Sequence, residues 1–239
     1  MELTAPTCKP CSLILIYLLM HIEVIFDTVC PWCFLGKRRL EKALHFRPNI
    51  NPKITWSSFL LNPNVPLGCS DHQDYLNAKI GNEIRASQIY SSIENIGKSL
   101  GIDFRFDKLE KIPNTLDAHR LIRYSSRLGC GSEMVESLFQ AYFIKGFDTG
   151  NRTVLFNLAE EMGFNRSAIR GYFYSNKDIE DIRGQNIRAQ KIGINGVPAF
   201  IIDGQISISG AQEPQVIGRL LEVAEERRRQ MLSNGIQPV

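Results

Sequence analysis

Two cysteines separated by two residues, in the segment Cys30-Pro31-Trp32-Cys33, constrain this chain more than any other feature. An apolar run at residues 22–26 precedes them and a helix-like stretch at residues 35–46 follows, so we expect a strand to deliver both cysteines onto the first turn of a helix. A helix start has unpaired N–H groups and a partial positive charge, which stabilise a thiolate. Pro31 suits this first turn because its missing N–H costs nothing there. The pattern indicates a thiol–disulfide exchange site, with a buried cysteine pair or half of a metal site as alternatives.

The order of predicted elements indicates the fold that contains this motif. Strands at residues 21–27 and 53–61 flank the first helix, which is long enough for a parallel crossover. Strand patterns return at residues 197–202 and 205–209, joined by the hairpin signal Asp203-Gly204, and a terminal helix follows at 213–232. Between the two strand pairs, helical spacing runs through residues 71–80, 83–100, 115–129, 132–146, 151–163, 165–175 and 178–192. The predicted fold class is therefore α/β: a thioredoxin fold with a large all-helical insertion between the second and third strands.

This order also predicts the domain organisation. Residues 20–62 and 178–232 form the thioredoxin-like domain, residues 63–177 form the helical insertion, and residues 1–19 form an N-terminal extension. The apolar run at residues 13–20 is too short to span a bilayer, which takes about 20 residues. A basic leader and an Ala-x-Ala-like cleavage site are both missing around it, which argues against a signal peptide. We expect Met20 to be the natural start, since residues 21–26 already make a complete first strand.

A second element of the predicted site is Val197-Pro198. A proline that opens a strand directly after Gly193 and Gly196 is a candidate for a cis peptide bond, with an ordinary trans proline as the alternative. A cis bond here would turn the backbone of Val197 toward the sulfur of Cys30 and offer hydrogen bonds to an extended peptide. Near the motif, Asp27 is a candidate proton acceptor for Cys33, although capping of a turn is the favoured interpretation.

The sequence resembles the DsbA-type thioredoxin-fold oxidoreductases, and more closely their FrnE-like branch, which is related to hydroxychromene-carboxylate isomerases and kappa-class glutathione transferases. The resemblance covers residues 20–225. It is carried by DTVCPWCFLGK at 27–37, FLLNP at 59–63, the segments 114–119 and 155–163, GINGVPAF at 193–200 and SGAQ at 209–212. It implies a disulfide oxidoreductase or isomerase in which Cys30 attacks and Cys33 resolves, with a cytoplasmic location. Pro31 and Trp32 would tune the Cys30 thiol and, with Val197 and Pro198, contact the substrate.

Two alternatives come from other functional classes. One is a glutathione-dependent isomerase or transferase on the same fold, although such relatives carry Ser where this chain has Cys30. The other is a zinc-binding module, because Cys8 and Cys11 form a second C-x-x-C and 18 residues separate Cys11 from Cys30. The intervening residues are a nearly continuous apolar run rather than a polar zinc knuckle, so an auxiliary dithiol outside the domain is a further interpretation of this pair.

Composition limits the partners. The net charge of +3 is too small to imply nucleic acid, and we expect no membrane span. The four histidines lack ligand spacing, and a phosphate loop and a dinucleotide fingerprint are both missing, so we expect neither a metal nor a nucleotide cofactor. The redox group would be the dithiol itself, with protein thiols and disulfides or a small thiol as partners and glutathione as a candidate co-substrate. Cys69 and Cys130 are interpreted as structural or incidental.

Overall fold

A computed structural model describes residues 19–65, 70–71 and 83–233, and a four-stranded sheet lies at its centre. The described strands are β1 (His21–Phe26), β2 (Lys53–Ser58), β3 (Ser70–Asp71), β4 (Lys111–Ile112), β5 (Ala199–Ile202) and β6 (Ile206–Ser209). The central sheet has the order β2-β1-β5-β6. β1 and β2 run parallel, whereas β1 with β5 and β5 with β6 are antiparallel. The carboxyl ends of β1 and β2 and the amino end of β5 therefore lie at the same end of the sheet.

Eight α-helices lie within the described ranges. They are α1 (Pro31–His45), α2 (Glu83–Ser99), α3 (Leu116–Arg127), α4 (Gly131–Phe139), α5 (Arg152–Glu161), α6 (Arg166–Tyr174), α7 (Ile179–Lys191) and α8 (Pro214–Ser233). A π-helical turn (Gln140–Ile144) continues α4, and a short 3-10 turn (Phe106–Lys108) precedes β4. None of the described helices is both long enough and apolar enough to cross a membrane.

The central sheet is covered on both faces. Successive side chains of a strand point to opposite faces, and β1 shows this alternation directly. Phe26 belongs to the main core cluster together with Leu40 of α1 and Leu221 of α8. Its neighbour Ile25 belongs to a second cluster together with Ala189 of α7. Helices α1 and α8 therefore pack on one face of the sheet, and α7 packs on the other.

Helices α2 to α6, which lie between β2 and β5, share the main core with the sheet. Phe34 of α1 stacks on Phe139 of α4, with ring centroids 4.9 Å apart, and meets Phe104 edge-on at 5.8 Å. Phe139 in turn lies 6.0 Å from the ring of Phe26. Helix α1, which begins at the C-x-x-C motif, is thus held between the sheet and the inserted helices.

The predicted α/β thioredoxin order is confirmed, with differences at element ends. The second strand was predicted over 53–61 but ends at Ser58, and the third was predicted from 197 but begins at Ala199. The insertion was predicted to be all-helical, yet β3 and β4 form a short antiparallel pair within it. The Asp203-Gly204 hairpin is confirmed, since the two residues have φ values of 49° and 69°, as a type I′ turn requires.

Several predictions fall on segments outside the described residues. These are the extension up to residue 18 with Cys8 and Cys11, the isolated Cys69, and the helix predicted over 71–80, of which only Asp71 is described, as part of β3.

Candidate functional site

The two motif cysteines occupy the start of α1, where the sequence placed them. Cys30 is the residue before the first helical position and has extended backbone angles, with φ −93° and ψ 111°. Its carbonyl accepts hydrogen bonds from the N–H groups of Cys33 (3.0 Å) and Phe34 (3.4 Å), which closes the first turn. Pro31 follows at the helix start, as expected. Both cysteines are free thiols and both are buried, with 5% of Cys30 and 2% of Cys33 exposed.

The surroundings of Cys33 keep its thiol protonated. Burial raises the pKa of Cys33 well above its ordinary value, and the hydrogen bond and charge of Cys30 raise it further. The backbone N–H of Asp27 acts in the opposite direction, whereas the Asp27 carboxylate again raises the pKa. Cys33 is therefore a thiol that gives up its proton reluctantly.

The Val197-Pro198 peptide bond is cis, which confirms the expectation from the sequence. Because β1 and β5 are antiparallel, with Ile25 opposite Ala199, the residues that follow β1 lie beside those that precede β5. The thiol of Cys30 consequently donates to the carbonyl oxygen of Val197 at an Sγ–O distance of 3.5 Å. The structure thus brings Cys30 next to the Val197-Pro198 loop, as predicted from the sequence.

Gly36 permits this approach. A Cβ atom added at Gly36 would lie 2.8 Å from Cγ of Pro198 and 3.2 Å from the ring of Phe200. Real Cβ atoms essentially never come within 3.0 Å of another heavy atom, as the contact with Pro198 would require, and a proline ring has little freedom to move aside. The absence of a side chain at position 36 therefore sets the distance between α1 and the Val197-Pro198 loop.

Trp32 is the exposed member of the motif. It is 38% exposed, in contrast to the two cysteines on either side of it. A partly exposed indole leaves a large apolar area available for contact. Trp32 therefore presents a contact surface at the rim of the site, where the sequence predicted a substrate contact.

Asp27 directly follows β1 and is fully buried. The sequence favoured turn capping by its side chain, but the turn is closed by the backbone, with the Cys30 N–H donating to the Asp27 carbonyl at 3.2 Å. The carboxylate instead accepts a hydrogen bond from the Leu61 N–H (2.8 Å) at Oδ2, and its Oδ1 lies 3.3 Å from Nε2 of His119. The parallel pairing of β1 and β2 explains the Leu61 contact, since the segments that follow the two strands leave the sheet at the same end.

His119, on α3, was missed as a site residue. Its side chain is 1% exposed and meets the ring of Phe26 edge-on, with centroids 5.2 Å apart. It is separated from Asp27 by 92 residues, and nothing in the spacing of the four histidines indicated that contact. The available signal was its place in the segment 114–119, which contributes to the family resemblance.

A polar cleft lies along the free edge of β2, beside the buried Asp27–His119 pair. Its volume is about 680 Å³, and its walls come from β2, α3, the start of α4 and α7, with His119 among the lining residues. Within the part of the chain that the structure describes, we find no group of His, Cys, Asp and Glu placed to hold a metal ion. The zinc alternative depended on Cys8 and Cys11, which lie outside that part.

Comparison with known proteins places these features in context. The model of the DSBA-like thioredoxin domain matches residues 21–222. The Bacillus subtilis protein YwbO, described as uncharacterized, is 26% identical over 211 residues, which are 87% of this chain and 99% of YwbO. A probable DsbA oxidoreductase from Streptomyces coelicolor is 25% identical, with a TM-score of 0.80 over 87% of this chain and 91% of that one. A 2-hydroxychromene-2-carboxylate isomerase is similar in fold, with a TM-score of 0.61 at 18% identity over 90% of this chain and 98% of the isomerase.

Proposed function

The chain belongs to the DSBA-like thioredoxin domain family, as the resemblance predicted, and on this basis we propose that it is a thiol–disulfide oxidoreductase with Cys30 and Cys33 as its redox pair. The observation that carries the proposal is the unequal placement of the two thiols. Cys30 lies at the helix start against the Val197 carbonyl, whereas Cys33 lies within the first helical turn and has a raised pKa. Such a pair suits an exchange reaction with one attacking and one resolving sulfur.

The proposed reaction has two displacement steps. The Cys30 thiolate attacks one sulfur of a substrate disulfide, so a Cys30–substrate disulfide forms and the other substrate sulfur leaves as a thiolate. Cys33 then loses its proton and attacks the Cys30 sulfur, which forms the Cys30–Cys33 disulfide and releases the second substrate thiolate. The protein dithiol is oxidised by two electrons, and the substrate disulfide is reduced to two thiols. In the oxidising direction the same steps run in reverse.

We propose an extended peptide around a cysteine as the substrate. The backbone of Val197 lies next to the Cys30 sulfur and offers main-chain hydrogen bonds, and Trp32 offers an exposed apolar surface at the rim. Glutathione is the small thiol that we propose as co-substrate: two glutathione molecules would reduce the oxidised pair and leave as glutathione disulfide, so the exchange needs no further cofactor. The cytoplasmic location implied by the resemblance remains a prediction.

Serine variants of the motif test the proposal. We expect Cys30→Ser to abolish the protein's catalysis of insulin reduction by dithiothreitol or glutathione, because the attacking sulfur is gone. Cys33→Ser should accumulate mixed disulfides through Cys30, visible by mass under non-reducing conditions, because the resolving sulfur is gone. The control is Cys130→Ser, since this free cysteine donates only to the Ser125 carbonyl (3.5 Å), away from the motif. Full exchange activity in Cys30→Ser contradicts the assignment.

The glutathione-dependent isomerase alternative predicts a different pattern. Such an enzyme activates bound glutathione through its first motif residue and has no need for a second cysteine. It would therefore retain turnover of a small-molecule substrate in Cys33→Ser, and it would not reduce insulin in the wild type. The same panel of proteins thus separates the two functions.

A further inference from the structure

Strand β2 lies at the edge of the central sheet, and no other described strand pairs with its outer side. Its inner side pairs with β1, where the N–H of Lys53 donates to the Met20 carbonyl at 2.7 Å. Successive residues of a strand point their backbone groups to opposite sides, so the odd-numbered residues of β2 face β1. Ile54, Trp56 and Ser58 therefore present their N–H and C=O groups to the outer side.

This outer side is capped at one end only. The N–H of Ser58 donates to Oε1 of Gln185 on α7 at 2.9 Å, so a side-chain amide takes the place of a neighbouring strand. The outward N–H and C=O groups of Ile54 and Trp56 have no hydrogen-bond partner among the residues that the structure describes. Open main-chain groups of this kind are what an added strand pairs with.

The open edge lies along the cleft of about 680 Å³, which all six residues of β2 line. Helix α7 contacts β2 on one face of the sheet, and α3 and α4 contact it on the other, where the Trp56 indole N–H donates to the Ser132 hydroxyl at 2.8 Å. An edge between two helical walls is recessed, so the equally recessed edge of a second copy cannot reach it. A single extended segment can, because strands in a sheet lie only about 4.8 Å apart.

The lining of the cleft carries an excess of positive charge. It contains Lys53, Arg123 and Arg188 but only one acidic residue, Glu23. Arg188 pairs with Glu23 at 2.6 Å, and Arg123 pairs with two aspartates of the α7 region that do not line the cleft. Lys53 is exposed and has no ion-pair partner among the residues that are described. Complementary charge therefore favours an acidic ligand.

The two walls of the cleft favour different side chains. The Ser57 hydroxyl donates to Glu23, which pairs with Arg188 of α7, so Ser57 and Lys53 lie on the α7 face of β2. Trp56 lies on the opposite face, where it packs against the main core. An added strand alternates in the same way. Its residues on the α7 face would meet the positive charges and suit acidic side chains, whereas those on the other face would meet the indole and suit β-branched side chains.

We propose that the free edge of β2 binds an extended acidic segment of another protein by strand addition. The segment alternates acidic with β-branched residues, and its backbone hydrogen-bonds to the outward groups of Ile54 and Trp56. This site is separate from the dithiol, because Cys30, Trp32 and Val197 are not among the residues that line the cleft. A partner held there leaves the thiols accessible, so binding and disulfide exchange are independent properties of the chain.

Binding can be measured by fluorescence anisotropy with the full chain and a labelled, end-blocked peptide that alternates glutamate and valine over about seven residues. We expect saturable one-to-one binding, and binding about tenfold weaker for a lysine–valine peptide of the same length. Lys53→Glu should weaken binding of the acidic peptide by about tenfold, because it reverses the unpaired charge of the cleft. Lys111→Glu, at an exposed strand position of β4 outside the cleft, is the matched control and should leave binding unchanged.

Methylation of the peptide backbone tests the mode of binding. A strand added to β2 points alternate N–H groups toward Ile54 and Trp56 and the others toward solvent. N-methylation of the first set should abolish binding, whereas N-methylation of the second set should change the affinity by no more than about threefold. Because only the peptide is altered, the fold of the protein is the same in both measurements.

A photo-crosslinker on the wall of the cleft identifies the occupant. Ser126→p-benzoylphenylalanine places the probe at an exposed position that lines the cleft, and illumination should join it to the acidic peptide, as mass analysis would show. Cross-links only to a second copy or within the same chain overturn the proposal. So do equal binding of the acidic and basic peptides, equal effects of the two methylation sets, or no saturable binding by the parent. These assays involve no disulfide, so none of their outcomes bears on the redox function.

Discussion

The Sγ atom of Cys30 lies 3.5 Å from the carbonyl oxygen of Val197, although 167 residues separate them in the chain. Antiparallel pairing of β1 and β5 sets this neighbourhood, and the small Gly36 lets α1 approach the Val197-Pro198 loop closely enough to complete it. A substrate held along Val197 would therefore lie next to Cys30. The site depends on the packing between one helix and one loop as much as on the two sulfurs.

Replacement of Gly36 by Ala should damage that packing. The new Cβ would lie 2.8 Å from Pro198, so α1 or the loop must shift, and we expect a loss of about 1–3 kcal/mol in the free energy of unfolding. Exchange activity should fall as well, because the shift separates Cys30 from Val197. Urea denaturation and insulin reduction measure the two effects.

The control for this variant is Gly171→Ala on α6. A Cβ at Gly171 meets nothing within 4 Å, and alanine in a helix interior is favoured over glycine by about 0.5–1 kcal/mol. Gly171→Ala should thus be neutral or stabilising. Equal stability changes in the two variants would contradict a specific contact between α1 and the Pro198 loop.

Trp32→Ala should weaken substrate binding and leave the fold intact. The indole is already 38% exposed, so its removal takes little from the core, whereas a bound peptide would lose the apolar contact. We expect KM for a peptide disulfide to rise about tenfold, which corresponds to about 1.4 kcal/mol, with little change in the urea midpoint. The matched control is Phe46→Ala, an exposed aromatic beyond the far end of α1, which should leave KM unchanged. A fall in kcat alone would contradict a binding role for Trp32.

The sequence predicted those parts of the site that are local in the chain. The position of Cys30 and Cys33 at the start of α1 follows from a strand, a proline and a helix within about one supersecondary unit. The contact of Asp27 with His119 could not be predicted in this way, because it depends on where α3 lies against the sheet. Propensity and periodicity describe each helix separately and carry no information about its docking position.

Stability of the reduced protein should fall at alkaline pH because of Cys33. The pKa of this thiol is raised in the folded state, mainly by burial, so the folded protein binds the proton more tightly than the unfolded chain does. Its stabilising contribution is complete below the unfolded pKa of about 8.5 and is lost as pH rises toward the folded pKa. We expect the loss to reach about 1.4 kcal/mol per pH unit at most.

Urea unfolding under reducing conditions, from about pH 8 to about pH 10, measures this effect. Other groups also titrate in this range, so the informative quantity is the difference between the wild type and Cys33→Ala. The variant should lose the Cys33 part of the slope while Cys30 stays in place. Parallel pH curves for the two proteins would show that the Cys33 thiol is not held protonated by the fold.

Asp178 should make the fold sensitive to acid. Burial by itself raises the pKa of this carboxyl, but hydrogen bonds from Arg127 and Tyr172 outweigh it and hold the pKa well below its ordinary range. Asp178 also accepts from Arg123 at 3.1 Å, and together these contacts tie α3 and α6 to the start of α7. Because the folded-state pKa is lowered, the stabilising contribution is complete above the unfolded value of about 3.9 and is lost as pH falls below it.

Asp178→Asn removes the charge and preserves the backbone conformation. Asp178 has a left-handed φ of 67°, a conformation that asparagine tolerates well, so the variant isolates the ionic contribution. We expect the free energy of unfolding at neutral pH to fall by about 1.5–3 kcal/mol, and the decline below about pH 4 to become shallower than in the wild type. Glu180→Gln, which breaks the exposed pair with Arg183, should cost less than about 1 kcal/mol. If Asp178→Asn unfolds with the same acid dependence as the wild type, the carboxylate of Asp178 does not hold these helices together.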